Sequence, residues 1–295
     1  MPTTLVTAAS IVNKRFWRTF NRRFLTPWQV RRLAALPDAR AQPLARALEA
    51  AFRGQLDPSE RARIERIESL RQRLEASREV VSVVDYGAGT GTAMLSGDEM
   101  ERGRVSTHRL GDFAALASMP QRWALILFHL VRQLQPRTCL ELGTALGISA
   151  AYQATALELN SSGRLVSLEG APGLAELARR NLAELDISAA TVRVGRFTDT
   201  LADALQELEP LEYAFVDGHH DRDATIGYFN ALLQRLAEDA VLVFDDIDWS
   251  AGMRDAWRVI RQDGRIRLAV DLAKLGVVVV GGRQEGARAL TMHPW

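Results

Sequence analysis

One cysteine, Cys139, stands in a chain of 295 residues. No internal disulfide can form, so stability rests on packing, and the composition fits a reducing, cytoplasmic compartment. Within Thr138-Cys139-Leu140 that thiol reads as a small buried hydrophobe. Long apolar runs are also missing. The longest, Trp123 to Val131, is interrupted by His129 and falls short of the ~20 residues that cross a bilayer. The N-terminus, where charges follow a short apolar stretch, does not read as a secretory signal. Internal repeats and low-complexity tracts are absent, which excludes solenoids and biased linkers.

What is present is ordinary in bulk, with 47% hydrophobic and 25% charged residues. The length suits one large α/β domain with an appendage. A net charge of +1 hides an asymmetry. Residues 1–55 carry ten cations (Lys14, Arg15, Arg18, Arg22, Arg23, Arg31, Arg32, Arg40, Arg46, Arg53) against Asp38 and Glu49. That head is +8 and the remainder −7. It is expected to be a helical extension docked on the acidic remainder, with an anionic lipid surface, a carrier protein or nucleic acid as the other candidates.

Residues 1 to about 80 have a helical pattern; Ile64, Ile67, Leu70 and Leu74 mark one amphipathic helix after Asp57-Pro58. A short strand is predicted at 81–86, then the turn Gly87-Ala88-Gly89-Thr90-Gly91, an irregular polar stretch over 92–118, and a helix from Pro120 to Leu134. Strands then recur near 138–142, 164–168, 191–194, 213–216 and 241–244, with helices at 148–159, 172–185, 198–208 and 223–237. Such alternation predicts a parallel sheet covered on both faces. After a helix near 251–263, the runs Ile266–Asp271 and Leu275–Val280 are too close for a crossover and predict a hairpin, hence one antiparallel strand near the C-terminal edge. The chain divides into an extension or cap over 1–120 and a sheet domain over 121–295.

Acids end the strand-like runs: Asp217 after one, Asp245-Asp246 after the next. Meeting at one sheet edge, three carboxylates repel unless a cation or donor neutralises them. Two glycine turns compete for a ligand. Gly87–Gly91 has no good helix behind it. Glu141-Leu142-Gly143-Thr144-Ala145-Leu146-Gly147 is followed by a helix and then a strand ending in Glu169. Glycines let a ligand approach a helix N-terminus, and Glu169 can accept from both ribose hydroxyls. A pyrophosphate would call for G-x-G-x-x-G, which is not there, and Glu141 would face a cation better than an anion. This favours S-adenosylmethionine, with its ammonium and positive sulfur. Thr144, Ser149 and Gly170 join the cofactor set; Arg196 lines the adenine pocket or stands exposed.

On these residues, 138–248 resembles a class I S-adenosylmethionine-dependent methyltransferase. Phe215-Val216-Asp217-Gly218-His219-His220 and Val243-Phe244-Asp245-Asp246-Ile247-Asp248-Trp249 resemble a bacterial subgroup related to catechol-type and macrolide-sugar O-methyltransferases. The resemblance implies a Rossmann-like doubly wound sheet and a Mg²⁺ site at Asp217, Asp245 and Asp246, although Asp217 could instead serve the cofactor. It also places a general base at His220; His219 is a further catalytic candidate, a ligand or an adenine contact. Catechol-type enzymes carry an amide where this chain has Asp246, which leans toward sugar-type acceptors.

The expected activity is O-methylation of a small hydroxylated molecule, with metal-free methylation at nitrogen or on a lipid-like acceptor as the alternative. A cofactor-binding subunit without turnover is a third reading. A nucleic-acid substrate is disfavoured: no Asn/Asp-Pro-Pro-aromatic tetrapeptide occurs, and the catalytic half is acidic. Oligomeric state, including a homo-oligomer, is open.

Overall fold

The structure is a computed structural model and describes residues 26–87, 89–90, 93–94, 97–281 and 288–293. Helices α1 (Thr26–Ala34), α2 (Ala41–Arg53) and α3 (Pro58–Ala76) come first. Asp57 and Glu60 form a reciprocal capping box at the start of α3, with Pro58 in its first turn, so two orphan N–H groups are satisfied before the apolar stripe begins. Lys14, Arg15, Arg18, Arg22 and Arg23 of the basic head lie outside the described residues, as do Ala88 and Gly91 of the first glycine turn.

Next comes β1 (Val80–Asp85), the short pair β2 (Gly89–Thr90) and β3 (Ala93–Met94), and helix α4 (Gly97–Arg102). β4 (Arg104–Arg109) then pairs antiparallel with β1, matching Val80 to Arg109 and Asp85 to Arg104. Helices α5 (Leu110–Ala117) and α6 (Gln121–Leu134) follow. The stretch expected to be irregular is therefore largely ordered. Five of the six residues of β4 are polar or charged and the strand is mostly exposed, so no alternation of apolar residues betrays it; only its pairing with β1 makes it a strand.

The predicted repeat then unfolds as β5 (Thr138–Leu142), α7 (Ile148–Leu159), β6 (Arg164–Glu169), α8 (Pro172–Glu184), β7 (Ala190–Val194), α9 (Phe197–Glu207), β8 (Leu211–Val216), α10 (Arg222–Leu232) and β9 (Leu236–Phe244). The helix expected over 223–237 stops at Leu232, and the strand expected at 241 starts at Leu236. After α11 (Ala251–Gln262), β10 (Ile266–Asp271) and β11 (Gly276–Val280) form the predicted hairpin; an unforeseen β12 (Arg288–Thr291) adds to β10. The sheet runs β12-β10-β11-β9-β8-β5-β6-β7, with β11 antiparallel to both its neighbours and the other pairings parallel.

Period-2 alternation builds both cores. Cys139, Tyr213, Phe215, Val241 and Val243 face one side with Leu44, Leu48, Ile126 and Tyr152. Leu140, Leu142, Ala214, Leu242 and Phe244 face the other with Leu205, Phe229, Trp257 and Ile260. The N-terminal helices thus share the core of the first face. A half-buried ion cluster adds to this union: Arg267 Nε donates to Asp38 Oδ2 at 2.7 Å and the same guanidinium also bonds Asp239. No described helix is long and apolar enough to cross a membrane.

Candidate active site

β5 is where the sheet reverses direction, with β6 on one side and β8 on the other, and crevices for ligands open at such points beyond the carboxyl ends of the strands. Backbone bonds stitch those ends together. Gly143 and Thr144 N–H both donate to Leu168 O, Asp217 N–H to Leu142 O, and Asp245 N–H to Val216 O. Gly143 has φ +100°, and a Cβ there would lie 2.0 Å from Asp217 O, so only glycine lets the turn after β5 lie against the end of β8. Gly147, at φ +80°, caps α7 and aims its first N–H groups at the crevice.

Glu169 ends β6. Its Oε2 accepts from Ala145 N–H and its Oε1 from Ala171 N–H, each at 2.8 Å, so the carboxyl is fixed across the mouth of the glycine turn. Burial pushes its pKa up, and these backbone bonds oppose the rise.

Glu141 overturns an expectation. It is fully buried and absent from the cavity lining, and does not face a cationic ligand. Gln153 Nε2 donates to it at 2.7 Å and Ser167 Oγ at 2.5 Å, while Thr144 Oγ1 lies 2.5 Å from Ser167 Oγ. Position 141 points into the layer between sheet and α7, so its carboxyl braces the turn from behind. Burial raises its pKa to about 7, opposed by bonds from Ser167, Ser149 and Gln153.

The strand ends and the N-terminal segment enclose a cavity of about 450 Å³. Thr144, Ser149, Glu169, Gly170 and Arg196 line one part. Tyr86 closes over it: a Cβ on Gly170 would meet Tyr86 Cδ2 at 2.8 Å. His108, Phe113 and Leu116, all from the stretch expected to be irregular, also line the cavity. Arg196 reaches Asp199 Oδ2 at 2.8 Å while lining the cavity.

His219 and His220 both lie in the cavity wall but in different settings. His219 sits in an aromatic cluster, 5.6 Å from Phe197 and from Tyr228 between ring centroids, and its Nδ1 is 2.7 Å from Tyr228 Oη. Burial lowers its pKa. His220 Nε2 lies 3.5 Å from Asp217 Oδ1, and its ring is backed by Trp249 at 5.8 Å, which itself does not line the cavity.

Asp217, Asp245 and Asp246 do converge, but a fourth side chain stands among them. Lys274 Nζ is 2.8 Å from Asp245 Oδ2 and 2.5 Å from Asp246 Oδ1. Asp217 is pushed up to about 7 by burial, with Lys274 pulling it down and Asp246 adding to the rise. Asp245 is also raised, by burial first and by Asp217 next. Its Oδ1 is buried and has no hydrogen-bond partner. Among the described residues, no group of three acidic, histidine or cysteine side chains is disposed to hold a metal ion. As arranged, the cluster does not fit Mg²⁺: a divalent ion would have to evict Lys274 from Asp245 and Asp246. Lys274 went unread because it lies in the hairpin turn, away from every motif. Composition held the signal: of 37 basic residues, lysines stand at 14 and 274 alone.

Fold and crevice together place the chain among α/β proteins of the doubly wound class. A family model described as a methyltransferase domain matches residues 140–247. That match runs from β5 to the loop after β9. A catechol O-methyltransferase of Niastella koreensis is 31% identical over 115 residues, which make up 38% of this chain and 50% of that protein. The chain thus spans half the length of this curated relative. Cofactor-bound Rv0187 from MTB has a TM-score of 0.50 at 22% identity, covering 56% of this chain and 83% of that one. The O-methyltransferase TomG of Streptomyces achromogenes, solved with SAM, has a TM-score of 0.49 at 24% identity, over 56% of this chain and 82% of that one. At 22% identity the likeness to Rv0187 speaks to fold alone.

Proposed function

We propose that the protein transfers the methyl group of S-adenosylmethionine to a hydroxyl of a small acceptor. The observation that carries this reading is Glu169, held by two backbone N–H groups beside the Gly143 turn and facing the cavity. Its carboxylate suits paired ribose hydroxyls, and the glycine turn admits the nucleoside against the backbone. The residues present fit this nucleoside: Gly143, Thr144, Ser149, Glu169, Gly170 and Arg196 would hold it, and Glu141 would keep the turn in shape. When bound, the nucleoside supplies a methyl group on positive sulfur; the acceptor oxygen forms the O–C bond as the C–S bond breaks, and the electron pair stays on sulfur.

The chain's part is alignment, desolvation and removal of one proton. His220, beside Asp217, takes the acceptor proton on its imidazole, and the proton then passes to solvent. The pairing of His219 with Tyr228 assigns it to packing around the cofactor end. The wall of His108, Phe113 and Leu116 suits an acceptor with a flat apolar face, as does the name of the relative from Niastella koreensis. The magnesium expected from the resemblance finds its place taken by Lys274, and no step is assigned to it.

Calorimetry with S-adenosylhomocysteine tests the nucleoside site, and a methyl-transfer assay over hydroxylated acceptors tests the reaction. Glu169→Ala is expected to weaken nucleoside binding by about 10-fold or more, the loss of a charge-assisted pair. His220→Ala should retain that binding and lower turnover by about 10²- to 10⁴-fold. An absence of heat with folded wild-type protein would end the proposal.

A further inference from the structure

The carboxylate cluster already holds a cation of the chain's own. Lys274 bonds Asp245 and Asp246 and lines the same cavity as His220. Its backbone is pinned at that spot. Lys274 O accepts from Ile247 N–H at 3.1 Å, in the loop that carries the acidic pair, and Lys274 N–H donates to Leu272 O at 2.9 Å. The neighbouring Ala273, at φ +70°, donates its N–H to Asp271 Oδ1 at 3.0 Å, and Asp271 Oδ2 accepts from Trp257 Nε1 at 3.0 Å. The ammonium is thus delivered by a braced hairpin turn rather than by a side chain reaching in from solvent.

Residue choice points the same way. Of the 37 basic residues 35 are arginine, yet a lysine stands here. A guanidinium is a broad planar fork, whereas an ammonium is a compact charge with three donors, able to stand among carboxylate oxygens as a small metal ion does.

We propose that Lys274 is the built-in cation of this reaction centre, standing where metal-assisted enzymes place a divalent ion and binding the acceptor oxygen with its remaining N–H. The inference rests on the methyl-transfer reading above. Asp245 and Asp246 take two of the three ammonium protons. The third donates to the acceptor oxygen and steadies the negative charge that builds as its proton leaves for His220. No metal enters or leaves; bond making and breaking are those of O–C and C–S.

Three measurements on the full chain test this. Mn²⁺ binding is followed by electron paramagnetic resonance on EDTA-dialysed protein, methyl transfer is assayed with and without EDTA, and S-adenosylhomocysteine binding is measured by calorimetry. Wild-type protein is expected to show no stoichiometric Mn²⁺ site and no loss of turnover in EDTA. Lys274→Ala should retain nucleoside binding, lose about 100-fold or more in turnover as for removal of one charge-stabilising donor, and gain a Mn²⁺ site that Asp245→Asn abolishes. Added Mg²⁺ should restore part of its turnover. Should Lys274→Ala misfold, Lys274→Arg keeps the charge balance and is expected to lose turnover without gaining Mn²⁺. One Mn²⁺ bound per wild-type chain, turnover lost in EDTA, or full turnover in a folded Lys274 variant would overturn the proposal. Missing heat with the nucleoside would instead strike the methyl-transfer reading, and the Mn²⁺ titration would still judge Lys274.

Discussion

Glu141 shows how one buried carboxyl can be mistaken for a ligand-facing one. Its position in the motif is readable; the direction of its side chain is set by Gln153 and Ser167, which lie 12 and 26 residues away. With its folded pKa raised from 4.5 to about 7, it binds a proton more tightly folded than unfolded. Its contribution is full below about pH 4.5 and is lost as pH rises through 7, about 3 kcal/mol in all. Glu141→Gln has no such group to ionise. Melting temperatures of wild type and variant, measured between pH 4.5 and 8, should therefore diverge in the variant's favour as pH rises. Parallel curves would show that the carboxyl is not held as described.

At the scale of elements, the doubly wound sheet was legible because parallel strands buried on both faces are apolar throughout, as in Val241-Leu242-Val243-Phe244, and helices carry their own period. β4 was not, since its order comes from pairing and not from its own side chains. The acidic part of the site was legible for the same reason: strand ends follow apolar runs. Lys274 was not, because a turn residue becomes a site residue only when β11 pairs with β9. That pairing depends on Gly276, against which the Trp257 ring lies; a Cβ would meet it at 2.6 Å. Gly276→Ala is expected to cost about 1–3 kcal/mol through overpacking. Chemical denaturation followed by tryptophan emission reads this, and a neutral result would mean that the ring can retreat.

For the whole molecule, the question is whether the head and the sheet act as one body. Arg267 lies on β10 and binds Asp38, before α2, and Asp239, in β9. Its guanidinium is nearly buried, so Arg267→Ala leaves two carboxylates facing each other. A loss of about 1–3 kcal/mol follows from half-buried carboxylates left without their donor, together with earlier proteolysis near Asp38. A protease pattern like that of wild type would show the head held by its apolar contacts alone. The roof formed by Tyr86 over Gly170 carries a kinetic consequence. On the proposed reading, a nucleoside on Glu169 sits beneath Tyr86 and an acceptor beside His108 and Phe113 would lie across its way out, so a seated acceptor should bar its exit. Methyl donor should load first and the demethylated product depart last. Steady-state inhibition by S-adenosylhomocysteine should then be competitive against the donor and non-competitive against the acceptor, turning random if Tyr86→Ala opens the roof.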